Sequence, residues 1–355
     1  MNIERLEMLR KAISEAEVDA LLITHPVNRR YLSDFDGSSG LLLISESQAY
    51  LVTDFRYLGQ AEKQAGAFTI IRRQDDLYPG LAEIITQNGW RTIGFEAKQL
   101  TYDSYREMEE KLKNQWVPLT DTVEKLRMVK NAAELAVMEK GAAQLDQAFS
   151  HLLTLIRPGM SERQLALELE IYLLRAGAEE RSFKFIVASG PRGALPHGAA
   201  SEKVMAAGEM VTIDFGAVFD GYATDMTRTV CLGQPDQWQR EIYDLVKEAQ
   251  AAAAAVVAPQ KKTKEIDSVA RDIIEKAGYG EYFGHGLGHG IGLETHEAPA
   301  LSQRSDTTLE SGMVVTIEPG VYLPGRGGVR IEDMVYLTET GVHSMTTSTR
   351  ELIII

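Results

Sequence analysis

Residues 210–232 read MVTIDFGAVFDGYATDMTRTVCL, and residues 313–320 read MVVTIEPG. Each stretch is a run of apolar and β-branched residues that one carboxylate interrupts, Asp214 in the first and Glu318 in the second. Aspartate is disfavoured inside strands, and charged groups that are buried are paired or bind metal. We therefore interpret the two stretches as equivalent strands that present their carboxylates to a common centre.

The first stretch predicts a β-hairpin that brings two carboxylates together. Asp220-Gly221 is a two-residue turn signal, and this turn aligns Gly216 with Asp225. Asp214 then becomes a diagonal neighbour of Asp225 on the same face, with Cβ atoms about 7 Å apart or less. Two carboxylates at that distance repel each other unless a cation lies between them.

A second hairpin is predicted over Met313–Thr338. It carries Glu318 on its first strand and Glu332 on its second, across a loop rich in glycine and proline. Arg330 lies two residues before Glu332 and therefore shares its face. Two interpretations of Arg330 are open: it pairs with a metal-ligating carboxylate, or it forms an ion pair at the surface.

These hairpins belong to an internal repeat. Residues 158–177 begin with proline, continue as a helical segment and end in glycine, and residues 259–278 do the same over an equal length. Each segment is followed by strand-like sequence and then by a carboxylate hairpin. The repeat predicts two similar halves that pack about a pseudo-two-fold axis.

Histidines supply the remaining candidates. Residues 284–292 read GHGLGHGIG, so at strand periodicity one face is bare backbone and the other carries His285 and His289. A bare face allows another backbone or a substrate to approach closely. His197, in a turn-like segment, and His296, seven residues after His289, are further candidates. His25 is left unassigned.

The first third of the chain has a different character. A chain of 355 residues predicts two domains, and we place them at residues 1–122 and 123–355. The first is an α/β domain with a helix over Asn2–Ala16 and strands over Val18–Thr24, Gly40–Ser45 and Gln48–Thr53. The second opens with a long helical stretch over Glu124–Leu155.

Composition limits the possible binding partners and the cellular location of the protein. The net charge of −14 and the pI of about 5.1 disfavour nucleic acid and anionic membranes. Cys231 is the one cysteine, and it reads as a small core residue in a reducing compartment. The N-terminal residues alternate charged and apolar side chains, which is typical of an amphipathic helix and not of a signal peptide. We therefore expect a cytoplasmic protein.

Together these segments resemble the pita-bread metallopeptidases, which include methionine aminopeptidase, aminopeptidase P and prolidase. The resemblance implies an α+β catalytic domain with the pseudo-two-fold repeat, preceded by a creatinase-like α/β domain. The creatinase-like motifs are Asn28-Arg29-Arg30-Tyr31-Leu32, Gly37-Ser38-Ser39-Gly40 and Thr53-Asp54-Phe55-Arg56-Tyr57. The resemblance further implies five metal ligands: Asp214, Asp225, His289, Glu318 and Glu332. His197 and His296 match the two active-site histidines that are not ligands, and Tyr322, Arg330 and His285 are placed beside the ligands.

The implied chemistry is two-metal hydrolysis. An oxygen-rich site suits Mn²⁺ or Co²⁺ better than a thiolate-type zinc site, with two ions about 3.5 Å apart. By resemblance, Asp225 and Glu332 bridge the ions, Asp214 holds one, and His289 with Glu318 holds the other. Glu318 is then also the proton shuttle. His296 stabilises the oxyanion, and His197 orients the substrate near its proline.

The expected substrate is a small peptide with proline second. We favour an Xaa-Pro dipeptidase, with aminopeptidase P, which acts on longer peptides, as the alternative. Prolidases often carry an arginine just after the His-Glu-x-Pro segment, where this chain has Ala300, and the nearest arginine is Arg304. A non-catalytic binding protein on the same fold and a hydrolase of non-peptide amides are also open. The resemblance further implies a homodimer.

Overall fold

The chain divides after Arg127 into two units, Met1–Arg127 and Met128–Ile355, and each unit has a core of its own. The computed structural model describes residues 2–73 and 77–355. Across those two ranges, no helix combines the length and the apolar character that crossing a membrane requires.

Unit 1 is an α/β structure, as the alternation of patterns predicts. Its helices are α1 (Asn2–Glu15), α2 (Pro26–Ser33), α3 (Leu58–Gln64), α4 (Tyr78–Asn88), α5 (Tyr102–Lys111) and α6 (Thr122–Met128). Its strands are β1 (Ala20–Ile23), β2 (Leu41–Ser45), β3 (Ala49–Thr53), β4 (Thr69–Arg72), β5 (Thr92–Glu96) and β6 (Gln115–Leu119). The predicted helix and the three predicted strands named above are therefore confirmed, with ends that differ by one or two residues.

One mixed sheet organises unit 1. Its strand order is β4-β3-β2-β1-β5-β6, with β2 antiparallel to both β1 and β3 and the other pairs parallel. Apolar residues of β1, β2, β3 and β5 pack against α4 and α5 to form the core. The creatinase-like motifs serve as internal ties, since the Asn28 side chain donates to Glu96 and Arg29 donates to the Gly40 carbonyl.

The helical stretch predicted over Glu124–Leu155 is interrupted. Helix α6 ends at Met128, and α7 (Ala132–Leu153) begins after Asn131, whose side chain accepts from the amides of Ala133 and Glu134. Asparagine at this position satisfies amides that a helix start leaves without partners. The stretch is helical as predicted, but it consists of two helices, because the similar periodicity of the two hides the cap between them.

The first half of unit 2 covers one sheet with two helices. It contains α7, α8 (Glu162–Arg175), β7 (Glu180–Arg181), β8 (Ile186–Ser189), β9 (Met210–Phe215), β10 (Ala217–Phe219), β11 (Tyr222–Ala223) and β12 (Met226–Cys231). The sheet has the order β20-β12-β9-β8, where β20 (Ile353–Ile354) returns from the end of the chain. Cys231 is buried in unit 2, in agreement with its interpretation as a core residue.

The second half repeats this plan. It contains α9 (Gln237–Val256), α10 (Thr263–Lys276), β13 (Gly288–Gly290), β14 (Glu297–Leu301), β15 (Val314–Ile317), β16 (Gly320–Leu323), β17 (Gly327–Arg330), β18 (Asp333–Leu337) and β19 (Val342–Ser344). Its main sheet has the order β14-β13-β15-β18-β19. Helices α9 and α10 pack on this sheet, as α7 and α8 pack on the other.

Matching backbone geometry confirms the predicted internal repeat. Helices α8 and α10 each have 14 residues. Each is followed by a glycine with positive φ, 98° at Gly177 and 87° at Gly278. Upstream of these helices the backbone is again left-handed, with φ of 91° at Gly159 and 70° at Gln260. The two halves therefore share helix length and both turns, although most of their residues differ.

Candidate metal centre

A cavity of about 530 Å³ lies in unit 2, and residues from both halves of the unit line it. The lining residues predicted from sequence are Asp214, Asp225, His197, His285, His289, His296, Glu318, Tyr322, Arg330 and Glu332. That list holds every predicted site residue. Ala300 and Arg304, which had marked a departure from the prolidase pattern, are exposed and do not line it.

The first two carboxylates come from the hairpin in the register that the sequence predicts. Phe219 pairs with Tyr222 across the turn, and Asp214 pairs with Thr227. This common register places Asp225 diagonally from Asp214. Both aspartates are buried, so their charges need compensation within the fold.

His289 lies on β13 with one ring nitrogen committed and the other facing carboxylates. Its Nδ1 lies 3.0 Å from the Gly290 carbonyl oxygen, a contact that requires a proton on Nδ1. Nε2 is then free to accept, and it lies 3.4 Å from Glu318 Oε1 and 3.7 Å from Asp225 Oδ2. A histidine whose far nitrogen donates to a backbone carbonyl is the usual form of a metal-ligating imidazole.

The glycines around His289 serve the close approach that the sequence predicts. A Cβ at Gly288 would collide with the Thr316 carbonyl, and one at Gly290 with the Ala298 carbonyl. The two backbones on either side of β13 can therefore approach it closely. The amide of His289 donates to Thr316 Oγ1 at 3.1 Å, which further fixes the residue.

The second hairpin differs in detail from its prediction. Strands β15 and β18 pair, but Glu318 and Glu332 lie just beyond their paired ends, and a separate hairpin of β16 and β17 replaces the predicted loop. Backbone bonds still hold both carboxylates, because the Glu318 amide donates to Leu287 and the Glu332 amide donates to Thr227. The prediction missed β16 and β17 because a segment rich in glycine and proline is typical of a loop.

Three buried carboxylate oxygens in this cluster have no hydrogen-bond partner. They are Asp214 Oδ1, Asp225 Oδ1 and Glu332 Oε1. Ligand atoms of Asp225, His289 and Glu332 lie within 4.8 Å of one another. Buried acceptors without a donor destabilise a fold. A hard divalent cation is the partner that oxygen-rich sites of this kind bind. The residues therefore fit a metal centre.

The electrostatics of the cluster favour the binding of a cation. Burial, followed by the neighbouring carboxylates, raises the pKa of Asp225 and of Glu332 well above their ordinary ranges. Burial raises the pKa of Glu318 to about 8. Burial also lowers the pKa of His289 to about 4, so its imidazole is neutral and able to ligate near pH 7.

Arg330 is buried, with 3% of its surface exposed, so the interpretation as a surface ion pair is wrong. Its Nη2 lies 2.5 Å from Asp214 Oδ2, and its Nη1 donates to Tyr322 Oη at 2.8 Å. Tyr322 in turn contacts His285 Nε2 at 2.9 Å, and His285 Nδ1 contacts the Gly286 carbonyl at 2.7 Å. This chain of bonds orients Asp214 and leaves His285 without a free nitrogen.

The remaining histidines occupy the open part of the cavity. The His296 ring lies 4.3 Å from the His289 ring, centroid to centroid. Burial lowers the pKa of His296, so it is a neutral donor near pH 7. His197 is exposed and lines the cavity beside Pro196. Both side chains are positioned to contact a molecule in the cavity.

Sequence reasoning missed several groups around the site. Thr227 Oγ1 donates to Glu332 Oε2 at 2.7 Å, and Thr316 Oγ1 donates to Glu318 Oε1 at 3.3 Å. Thr316 had a signal, because it occupies the same place as Thr212 in the repeated Val-Thr-Ile motif. Lys184 also lines the cavity, and its signal is a charge inside the apolar run of residues 183–188.

We expect the metal-free protein to lose stability as the pH rises from about 5 to about 8. The Glu318 carboxyl has an ordinary pKa of 4.5 and a folded pKa of about 8. Between these values the folded state retains a proton that the unfolded state has lost, so raising the pH favours unfolding. Asp225 and Glu332 act in the same direction. Thermal unfolding at several pH values, after chelation of metal, measures the slope.

The control for that experiment is Glu318→Gln, which cannot ionise. Its slope over the same pH range should be flatter than that of the wild type. Parallel slopes would show that other groups dominate the pH dependence.

Comparison with known proteins gives the chain its family. A model described as Metallopeptidase family M24 matches residues 136–339, and a model described as Creatinase/Prolidase N-terminal domain matches residues 5–129. The chain belongs to the M24 family. It therefore combines a creatinase-like N-terminal domain with a pita-bread metallopeptidase domain, as the resemblance implied.

Individual M24 relatives match along the whole chain. The chain is similar to the structure of an Xaa-Pro dipeptidase from Bacillus anthracis, at 46% identity, a TM-score of 0.98 and 100% coverage of both chains. It is 40% identical over 356 residues to an Xaa-Pro dipeptidase of Pyrococcus furiosus, covering 99% of each. It is also similar to the structure of an X-Pro aminopeptidase from Thermotoga maritima, at 38% identity, a TM-score of 0.91 and 99% coverage of each chain.

Proposed function

We propose that the protein is an Xaa-Pro dipeptidase that uses two divalent metal ions, Mn²⁺ or Co²⁺. The observation that carries this proposal is the buried cluster of acceptors in the cavity, with three carboxylate oxygens that have no partner. The M24 relatives that bear the name Xaa-Pro dipeptidase support the substrate class. The donor set of four carboxylates and one imidazole supports manganese or cobalt over a metal that prefers thiolate.

Five residues hold the ions in this proposal. The ions would be held by the carboxylates of Asp214, Asp225, Glu318 and Glu332 and by the imidazole of His289. When bound, the ions supply Lewis acidity toward the scissile carbonyl and a nucleophile at neutral pH. The bond from Arg330 to Asp214 and the bond from Thr227 to Glu332 keep these carboxylates in place.

Glu318 is the proton carrier of the reaction. Its carboxyl takes a proton from the attacking water and returns it to the proline nitrogen as that group leaves. Thr316 Oγ1 bonds Glu318 Oε1 and so leaves Oε2 to meet the proton. A group whose position is fixed in this way transfers protons with little reorganisation.

The two open histidines bind the substrate. Neutral His296 donates to the scissile carbonyl oxygen as negative charge develops there. His197 contacts the proline side of the substrate. Proline requires such dedicated contacts because its amide nitrogen carries no hydrogen and its φ is fixed, so ordinary subsites that bond a substrate N–H have nothing to hold.

A substrate panel tests the proposal. The metal-stripped protein, with Mn²⁺ or Co²⁺ added back, is expected to hydrolyse an Xaa-Pro dipeptide, and Asp214→Ala is expected to be inactive. Cleavage of a tripeptide Xaa-Pro-Xaa in preference would establish the second candidate, an aminopeptidase P, which the similarity to the Thermotoga maritima structure favours. Cleavage of neither peptide by the metal-loaded protein would leave a binding protein or a hydrolase of other amides.

Two further parts of the proposal concern assembly and location. We propose a homodimer, which follows from the family resemblance and which light scattering of the metal-loaded protein measures. We propose a cytoplasmic location, which rests on the use of a single, buried cysteine.

A further inference from the structure

Lys184 is a cation at the substrate cavity with no partner in the fold. It is exposed and lines the cavity together with Phe183 and Ile186. Within residues 2–73 and 77–355, it forms no ion pair or hydrogen bond through its side chain. A lysine ammonium is a flexible point charge with three donors, and here all three are available to a ligand.

Lys184 lies two residues before β8, next to a residue that packs in the core. Phe185 is buried in the core, where its ring packs edge-to-face with Phe215 at 6.3 Å. Ile186, the first residue of β8, pairs with Asp214 in the neighbouring strand β9, so Lys184 lies close in sequence to the strand pair that carries Asp214 and lines the same cavity.

The other fixed cation of the cavity is already engaged. Arg330 directs Nη2 to Asp214, Nη1 to Tyr322 and Nε to Thr227. Among the described residues that line the cavity, Lys184 is thus the one lysine or arginine whose nitrogen is available to an anion.

We propose that Lys184 binds the terminal carboxylate of a dipeptide substrate and so selects dipeptides over longer peptides. This inference rests on the proposed function. A free Xaa-Pro dipeptide carries one carboxylate, on the proline, next to the bond that is cleaved. The Lys184 ammonium attracts this carboxylate through a charge-assisted hydrogen bond. A longer peptide has a neutral amide at that position and gains nothing from the charge.

The experiment compares an Xaa-Pro dipeptide with its C-terminal amide in the metal-loaded enzyme. In Lys184→Met, kcat/KM for the acid divided by kcat/KM for the amide is expected to fall on the order of tenfold, mainly through KM of the acid. Lys184→Arg keeps the charge and should retain most of the preference. Lys276→Met, at an exposed lysine near the end of α10, is the matched control and should behave as wild type.

The outcomes separate this inference from the proposed function. A wild type that cleaves the dipeptide, with an unchanged acid-to-amide ratio in Lys184→Met, overturns the role of Lys184 and leaves the dipeptidase intact. An equal fall for acid and amide also overturns it, since that indicates a structural effect. A wild type that cleaves no proline peptide overturns the proposed function and this inference with it.

Discussion

Asp225→Asn is expected to abolish peptidase activity and, at the same time, to stabilise the metal-free protein. Asparagine keeps the shape of the side chain but removes a charge that its neighbours and burial oppose, as the raised pKa of Asp225 indicates. Activity should fall by more than about 100-fold, because mutation of residues that only orient metal ligands already lowers metal affinity or activity by about 10- to 100-fold. Steady-state hydrolysis of Xaa-Pro and thermal unfolding with and without Mn²⁺ measure the two effects.

The opposite signs make this a sharp test. A residue that only supports the fold would lower activity and stability together. In Asp225→Asn the wild-type gain in melting temperature on adding Mn²⁺ should shrink or vanish, since binding to the folded state is what produces that gain. A variant that is less stable without metal and still stabilised by Mn²⁺ would contradict the assignment of Asp225 as a ligand. Asp220→Asn, at the exposed turn of the same hairpin, is the matched control.

The largest loss of stability is expected at Arg228, behind the cluster. Arg228 is 1% exposed and its Nη2 lies 2.7 Å from Oδ1 of the fully buried Asp333. It also donates to the carbonyls of Ser348 and Thr349 and to that of Glu332. Arg228→Leu should therefore lower stability by about 3–5 kcal/mol, because it removes one of the two cations that pair with the buried Asp333, Arg350 being the other, and leaves three carbonyls without this donor. Urea unfolding of the metal-free protein measures the change without a contribution from metal.

Two further variants serve as comparisons for that measurement. Arg228→Lys keeps the charge but loses the planar set of donors, so its loss should be smaller than that of the leucine variant. Lys264→Ala breaks an exposed ion pair with Asp306 and should change stability much less. Equal effects of Arg228→Leu and Lys264→Ala would show that the buried pair contributes little more than a surface one.

The part of the site that could be predicted follows from local sequence patterns. The turn at Asp220-Gly221 sets the register that brings Asp225 diagonally across from Asp214, and two residues suffice to specify such a turn. The repeat predicts matching helices because Gly177 and Gly278 mark equivalent helix ends, and both have positive φ.

The parts that were missed depend on distant segments. Arg228 lies in a strand between two threonines and reads as an exposed position, yet carbonyls near residue 348 close over it. Asn131 caps α7 inside what the pattern predicts as continuous helix. None of these burial relationships is visible in a local window.

The two similar halves of unit 2 divide the acidic cluster between them: Asp214 and Asp225 come from the first, and His289, Glu318 and Glu332 come from the second. Neither half alone has enough donors to surround a pair of ions. An ancestral chain of half the length would have met this requirement only by associating with a second copy of itself about a two-fold axis. Fusion of the two copies would then have freed each half to diverge, one keeping aspartates and the other acquiring an imidazole.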